Sequence, residues 1–184
     1  MNKQPQITEK TRQKFIDVFC ELYSQKPVEK ISIQEIASRS GYNRSTFYQY
    51  FTDIYELLDT VENNLLHDIK AELAGNELSM HSVQDALSCL DRKEHLLALH
   101  ALLGDYGSPR FLARLKRDIP MEQFLSLPQN HSLTPYFIEF YLTTTLSLFR
   151  LWLQQEKDIP PEEFIKLAEN LYSRGVSAYS DEGF

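Results

Sequence analysis

Between Asn43 and Phe51 the chain sets Arg44, Ser45, Thr46, Tyr48 and Gln49 close together, hydrogen-bonding side chains with no carboxylate among them. If Phe47 and Phe51 turn inward at an i, i+4 step, the others fall on or near the opposite face of one helix. An arginine fork can read guanine, and hydroxyls and amides can reach phosphates or bases, so a face of this kind suits a DNA major groove. The amino end of such a helix also favours phosphate.

Other chemistry finds weaker candidates. Cys20 and Cys89 are the only cysteines, too few for a disulfide framework and without a neighbouring Cys or His at metal-ligand spacing. Cys20 reads as a small apolar residue of a helix, and Cys89 has no nearby base. His95 and His100 stand about 500° apart around a helix, with no acid at i+3 or i+4 to complete a metal site. No nucleophile–base pair or phosphate loop is evident, so neither an enzyme nor a cofactor is expected.

The elements that must position the polar face are helical. Gly is 6 of 184 residues while hydrophobic residues make up 42%, which fits long helices better than a sandwich or a disordered chain. From Thr8 to Gln25 the apolar positions Phe15, Val18, Phe19, Leu22 and Tyr23 mark one buried helical face. Ser32-Ile33-Gln34-Glu35 reads as a capping box opening a short second helix, with Ile33, Ile36 and Ala37 on one side. Gly41 supplies the left-handed residue that stops it, and Asn43 caps a third helix running from Arg44 to Tyr50. Asp53 to Glu56 repeats the pattern before an amphipathic run to Gly75.

Further on, between Ser82 and Leu127, the pattern predicts two shorter helices broken near Asp91 and then a third opened by Ser108-Pro109 and disturbed by Pro120. Thr134-Pro135 opens a long helix to about Gln155, and Pro160-Pro161-Glu162-Glu163 opens the last. The reading is all-α, with about nine helices and no convincing strand.

The spacing of Ala37, Gly41 and Phe47, four and then six residues, is that of a helix-turn-helix unit. Two helices crossing at roughly 90 to 120° need a small residue where they meet and a positive φ at the corner. The same geometry also occurs in helical cores that never touch DNA. Charge adds weight: residues 1–50 carry eight basic against five acidic side chains, a surplus of three, whereas the rest carry eleven against twenty-one and bring the total to −7. Lys3, Lys10, Arg12 and Lys14 place an arm and first helix where phosphates could be met.

The run from Ile33 to Phe51, with Ile36-Ala37, Gly41, Thr46-Phe47-Tyr48 and Tyr50-Phe51 in place and Leu57-Leu58 following, resembles the amino-terminal DNA-binding domain of TetR-family transcriptional regulators. The likeness covers about the first 60 residues. It implies a helix-turn-helix domain over residues 1–52 and a helical effector-binding and dimerisation domain over 53–184. It also implies a homodimer on a palindromic double-stranded DNA operator, usually repressing, with release by a small-molecule effector. By position Ser32 and Tyr48 correspond to phosphate contacts, Arg44, Ser45, Thr46 and Gln49 to base or phosphate contacts, and Tyr50 to a mainly backbone contact. One departure is Ile54, where the family commonly has a phosphate-meeting lysine; its loss should weaken binding and flatten the salt slope by about one unit per half-site.

The helix from Thr134 is apolar nearly all round, so it must be covered on two sides. With the last helix, through Phe164, Leu167, Leu171 and Tyr172, it predicts a symmetric four-helix interface between two copies. Tyr106, Phe111, Phe124, Tyr136, Phe140 and Tyr141 could line an effector pocket or simply fill cores; no ligand residue is identified. No run approaches the ~18 apolar residues of a membrane span, and MNKQPQITEK has no apolar signal core, so a cytoplasmic protein is expected. An alternative is a TetR-like dimer recruited by another protein, with weak or no DNA binding of its own.

Overall fold

The computed structural model describes residues 5–75, 93–119 and 132–180. Among these there are eight α-helices, one 3-10 turn and no strand: α1 (Pro5–Tyr23), the turn Val28–Lys30, α2 (Ile33–Ser40), α3 (Arg44–Phe47), α4 (Ile54–Gly75), α5 (Lys93–Leu103), α6 (Pro109–Asp118), α7 (Thr134–Gln154) and α8 (Pro161–Ser180). The helix expected from Ser82, the break near Asp91 and the stretch from Pro120 to Leu127 lie outside the described residues, as do Lys3, Cys89 and Phe124.

Two compact units form, the first from residues 5–68 and 93–115 and the second from 69–75, 116–119 and 132–180. The first unit is built on α1, which packs on α2 and α5. Phe15, Val18, Phe19, Leu22 and Tyr23 are all buried, as the period of α1 requires. Leu57, Val61 and Leu65 of α4, Leu102 of α5 and Phe111 of α6 complete the core. Ser108 caps α6 by accepting from the Arg110 amide at 3.1 Å, with Pro109 at the first position.

Ionic contacts fix α6 to α4. Arg110 Nη2 donates to Asp59 Oδ1 at 2.7 Å, and Arg114 donates to Glu62 Oε2 and Asn63 Oδ1, both at 2.5 Å. Glu62 is fully buried, and its Oε1 has no hydrogen-bond partner among the described residues. Tyr23, buried in the same core, has its hydroxyl pushed up by burial and by the nearby carboxylates of Glu62 and Glu29, with a backbone hydrogen bond from Ser108 acting the other way. His95, which has no acid at i+3 or i+4, lies 2.9 Å through Nε2 from Asp68 Oδ2; the acid comes from α4 and not from its own helix.

In the second unit α7 packs on α8. Trp152 stacks on Phe164 with centroids 5.0 Å apart and planes 17° apart, and Tyr141 meets Tyr172 edge-on at 4.9 Å. After α7 the chain turns through Glu156 and Lys157 at φ of 55 and 61°, without a glycine. The Lys157 amide closes that turn on the Trp152 carbonyl at 2.9 Å, and the indole Nε1 donates to the Ile159 carbonyl at 2.8 Å. No helix among the described residues is long and apolar enough to cross a membrane.

Candidate nucleic-acid interface

The corner between α2 and α3 is fixed by short-range chemistry. Ser32 stands in extended conformation before α2, and its Oγ accepts from the Glu35 amide at 3.2 Å. The reciprocal half of the expected capping box is not made: the Glu35 carboxylate turns to Lys26 at 2.6 Å and Arg39 at 3.4 Å, because two cations attract it more strongly than one amide. Ala37 is buried where the helices cross, and Gly41 takes φ 78°. That left-handed turn lets the Gly41 and Tyr42 amides close on Ala37 and Ser38 carbonyls, so α2 ends there.

Asn43 opens α3. Its Oδ1 accepts from the Thr46 amide at 2.8 Å and from the hydroxyls of Ser45 and Thr46 at 2.6 and 3.0 Å. The helix is shorter than the period promised. It closes at Phe47, and residues 48–50 form a turn in which the Phe47 carbonyl accepts from both Tyr50 and Phe51 amides, at 2.9 and 3.1 Å. The tightening has a packing cause: it brings the Phe51 ring to 5.5 Å from Phe47, and both rings are buried.

Phe15 of α1 joins this cluster, its centroid 5.4 Å from Phe47 and Tyr42 and 5.9 Å from Tyr50. With Phe47 held inward, Arg44, Ser45, Tyr48 and Gln49 are exposed, and Thr46 and Tyr50 are half-buried. Ser32 is exposed at the start of α2. Arg44 Nη2 donates to the Tyr48 hydroxyl at 3.3 Å, and its guanidinium lies 6.0 Å from that ring centroid. The arginine is therefore partly ordered before any ligand arrives. Lys10 and Lys14 are exposed on α1, while Arg12 is directed to Glu9 and over the Phe51 ring.

Tyr42 carries no role in the motif reading, yet its hydroxyl lies 3.3 Å from Thr11 Oγ1 and ties the corner to α1. Only its place beside Asn43 hints at this. Ile54, half-buried, opens α4 between two carboxylates: Asp53 Oδ1 accepts from the Glu56 amide at 2.8 Å, and Glu56 Oε2 accepts from the Thr52 amide at 2.5 Å. That amide holds the Glu56 carboxyl below its ordinary range.

The thiol of Cys20 is buried and pushed up by burial, then by Asp17 and Glu21, which makes it an apolar filler and not a nucleophile. Among the described residues no group of three metal-ligating side chains comes together. Of the aromatics that could line a pocket, Phe111 lies in the first unit's core, Tyr141 packs on Tyr172, and Tyr106, Tyr136 and Phe140 are exposed.

Fold and corner together define a helix-turn-helix domain within an all-helical chain. Residues 15–61 match the model of the bacterial regulatory proteins of the tetR family. In sequence it is 33% identical over 85 residues to the HTH-type transcriptional regulator AcrR of Shigella flexneri, covering 42% of this chain and 40% of that protein. It is 29% identical over 87 residues to the uncharacterized HTH-type transcriptional regulator YvdT of Bacillus subtilis (strain 168), covering 47% and 43%. The matched stretch thus spans about two fifths of the length of these relatives. In fold it is similar to NalD, the secondary repressor of the MexAB-OprM multidrug efflux pump in Pseudomonas aeruginosa, with a TM-score of 0.61 at 19% identity over 92% of this chain and 97% of that one.

Proposed function

We propose that this chain binds a palindromic DNA operator as a homodimer and represses transcription there, and that an unidentified small molecule releases it. Residues 1–52 would read the DNA, and residues 53–184 would hold the partner copy and the effector. The observation that carries this is the exposed, carboxylate-free face of Arg44, Ser45, Tyr48 and Gln49, held outward by the buried ring of Phe47. Arg44 is assigned to a guanine edge and the Tyr48 hydroxyl to a phosphate, with Ser32 and Tyr50 flanking on the backbone. NalD, a repressor by name, supports the direction of regulation.

The homodimer is supported by apolar side chains left in solvent in the second unit: Tyr136, Phe140 and Leu151 on α7, Leu167 and Leu171 on α8. A second copy's α7–α8 pair would cover them in a four-helix seam. An effector can shift the protein between DNA-binding and released states only by its difference in affinity for the two.

A protein-recruited co-regulator is the second reading, favoured by Ile54 and by the carboxylates of Asp53 and Glu56 at the start of α4, where a phosphate would be repelled. One titration decides between them: the purified chain against fragments of its source genome at low and moderate salt. A few fragments held tightly, with affinity falling steeply as salt rises, is the expected result. Equal, salt-insensitive binding to all fragments would leave only the co-regulator.

A further inference from the structure

The proposed DNA face has an internal polarity that motif spacing does not reveal. The Thr46 amide can only donate, so its 2.8 Å contact fixes the oxygen and not the nitrogen of the Asn43 side chain towards α3. With Oδ1 so oriented, the hydroxyls of Ser45 and Thr46, at 2.6 and 3.0 Å, must both donate to it. A hydroxyl has one proton, and each of these is spent inside the protein. What Ser45 presents to solvent is lone pairs. Ser32 has the reverse arrangement, since its Oγ accepts from the Glu35 amide and keeps its proton for an outside acceptor.

Resting on the reading of α3 as a DNA-contacting helix, we propose that Ser45, with Thr46 beside it, reads the groove as an acceptor. It takes an N–H of an exocyclic base amine, adenine N6 or cytosine N4, and does not donate to a phosphate. Phosphate oxygens, guanine O6 and N7, and thymine O4 are themselves acceptors, so a hydroxyl whose proton is committed meets them with repulsion. Asn43 is the positioning residue that sets this polarity. Arg44, a donor only, requires the opposite partner, so adjacent residues of one helix demand complementary base edges.

The test starts from the tightest duplex selected out of a random-sequence pool. Each adenine of that duplex is replaced in turn by purine, and each cytosine by 2-pyrimidinone, which deletes the exocyclic amine together with one Watson–Crick hydrogen bond, a loss common to the wild type and Ser45→Ala that their comparison cancels. For the wild-type chain one such deletion per half-site should weaken binding about two- to tenfold, the range of one net hydrogen bond. Ser45→Ala should bind the intact and the amine-deleted duplex alike, and Thr46→Val is the same test for the second hydroxyl. Asn43→Asp keeps an acceptor and the helix cap, so it should retain the amine dependence even where added charge weakens binding overall. Asn43→Ala, once shown to be folded, should lose it. If Ser45→Ala weakens every sequence equally, or if no amine deletion matters to the wild type, the acceptor assignment is wrong while DNA binding stands. If the pool yields no preferred duplex at all, both the assignment and the DNA-reading function fall.

Discussion

The corner of residues 32–51 and the α7–α8 pair are both held by packed aromatic rings, but their polar groups and exposed surfaces differ. In the corner, Ser32 bonds to the Glu35 amide, Asn43 to Ser45 and Thr46, and Arg44 to Tyr48, all within four residues in sequence. On α7 and α8, bulky apolar groups such as Phe140 and Leu171 stand half in solvent. A surface that reads another molecule's hydrogen bonds gains from side chains ordered beforehand, because less freedom is lost on binding. A surface that joins copies of a chain gains from apolar area, which favours burial without dictating direction. The first leaves a signature in residue types and spacing, and the second leaves one only in hydropathy.

Breaking the corner should produce the largest effect. Phe47 is fully buried and lies within 5.5 Å of Phe15 and Phe51. Phe47→Ala should therefore cost about 3–5 kcal/mol of stability in denaturant titration, through lost burial and the cavity left behind. A loss below about 1 kcal/mol would show that the ring does not hold α3 in place.

Close behind comes the ion pair between α4 and α6. Arg114→Met strands the fully buried Glu62 carboxylate without its partner, and a loss of about 3 kcal/mol or more is expected. Replacing both residues, Arg114→Met with Glu62→Leu, should restore most of it, because no charge then remains in the core. A double-mutant cycle read by thermal unfolding checks this. If the double variant is as unstable as the single one, packing and not charge explains the effect.

This pair also marks where sequence stops being legible. Caps and corners were readable because a cap and its amide are two or three residues apart: Ser32, Gly41, Asn43 and Ser108 could each be placed from neighbours alone. Arg114 and Glu62 lie 52 positions apart, and Arg110 and Asp59 lie 51 apart, so nothing local joins them. His95 was likewise missed because its acid, Asp68, sits on another helix. Glu35 could be given a reciprocal cap only while Lys26, nine residues back, was not known to approach it. The end of α3 was misjudged for a related reason, since the burial of Phe51 against Phe47 tightens the chain more than helical period allows.

Within the corner, changes at the surface should alter recognition and spare stability. Arg44→Ala should weaken operator binding by about 1–3 kcal/mol and shift the preferred base at one position. Tyr48→Phe should weaken all sequences by a similar, smaller factor, because a phosphate contact carries no sequence information. Fragment selection repeated with each variant separates the two, and identical, undiminished profiles in both would remove α3 from the groove.

At neutral pH the smallest effect belongs to the second region, and it becomes visible only in alkali. Tyr172 is buried and meets Tyr141 edge-on, and burial pushes its hydroxyl up to about 12 from the ordinary 10. Below pH 10 this residue is neutral whether the chain is folded or not, so it adds no pH dependence. Between about pH 10 and 12 the unfolded chain releases the proton while the folded chain keeps it, and stability must fall as pH rises. Tyr172→Phe keeps the ring and should flatten that fall. Tyr23 is raised in the same direction in the first unit, so Tyr23→Phe provides the comparison. If Tyr23→Phe flattens the alkaline loss and Tyr172→Phe does not, the first unit fails first in alkali and the α7–α8 pair outlasts the corner it is contrasted with.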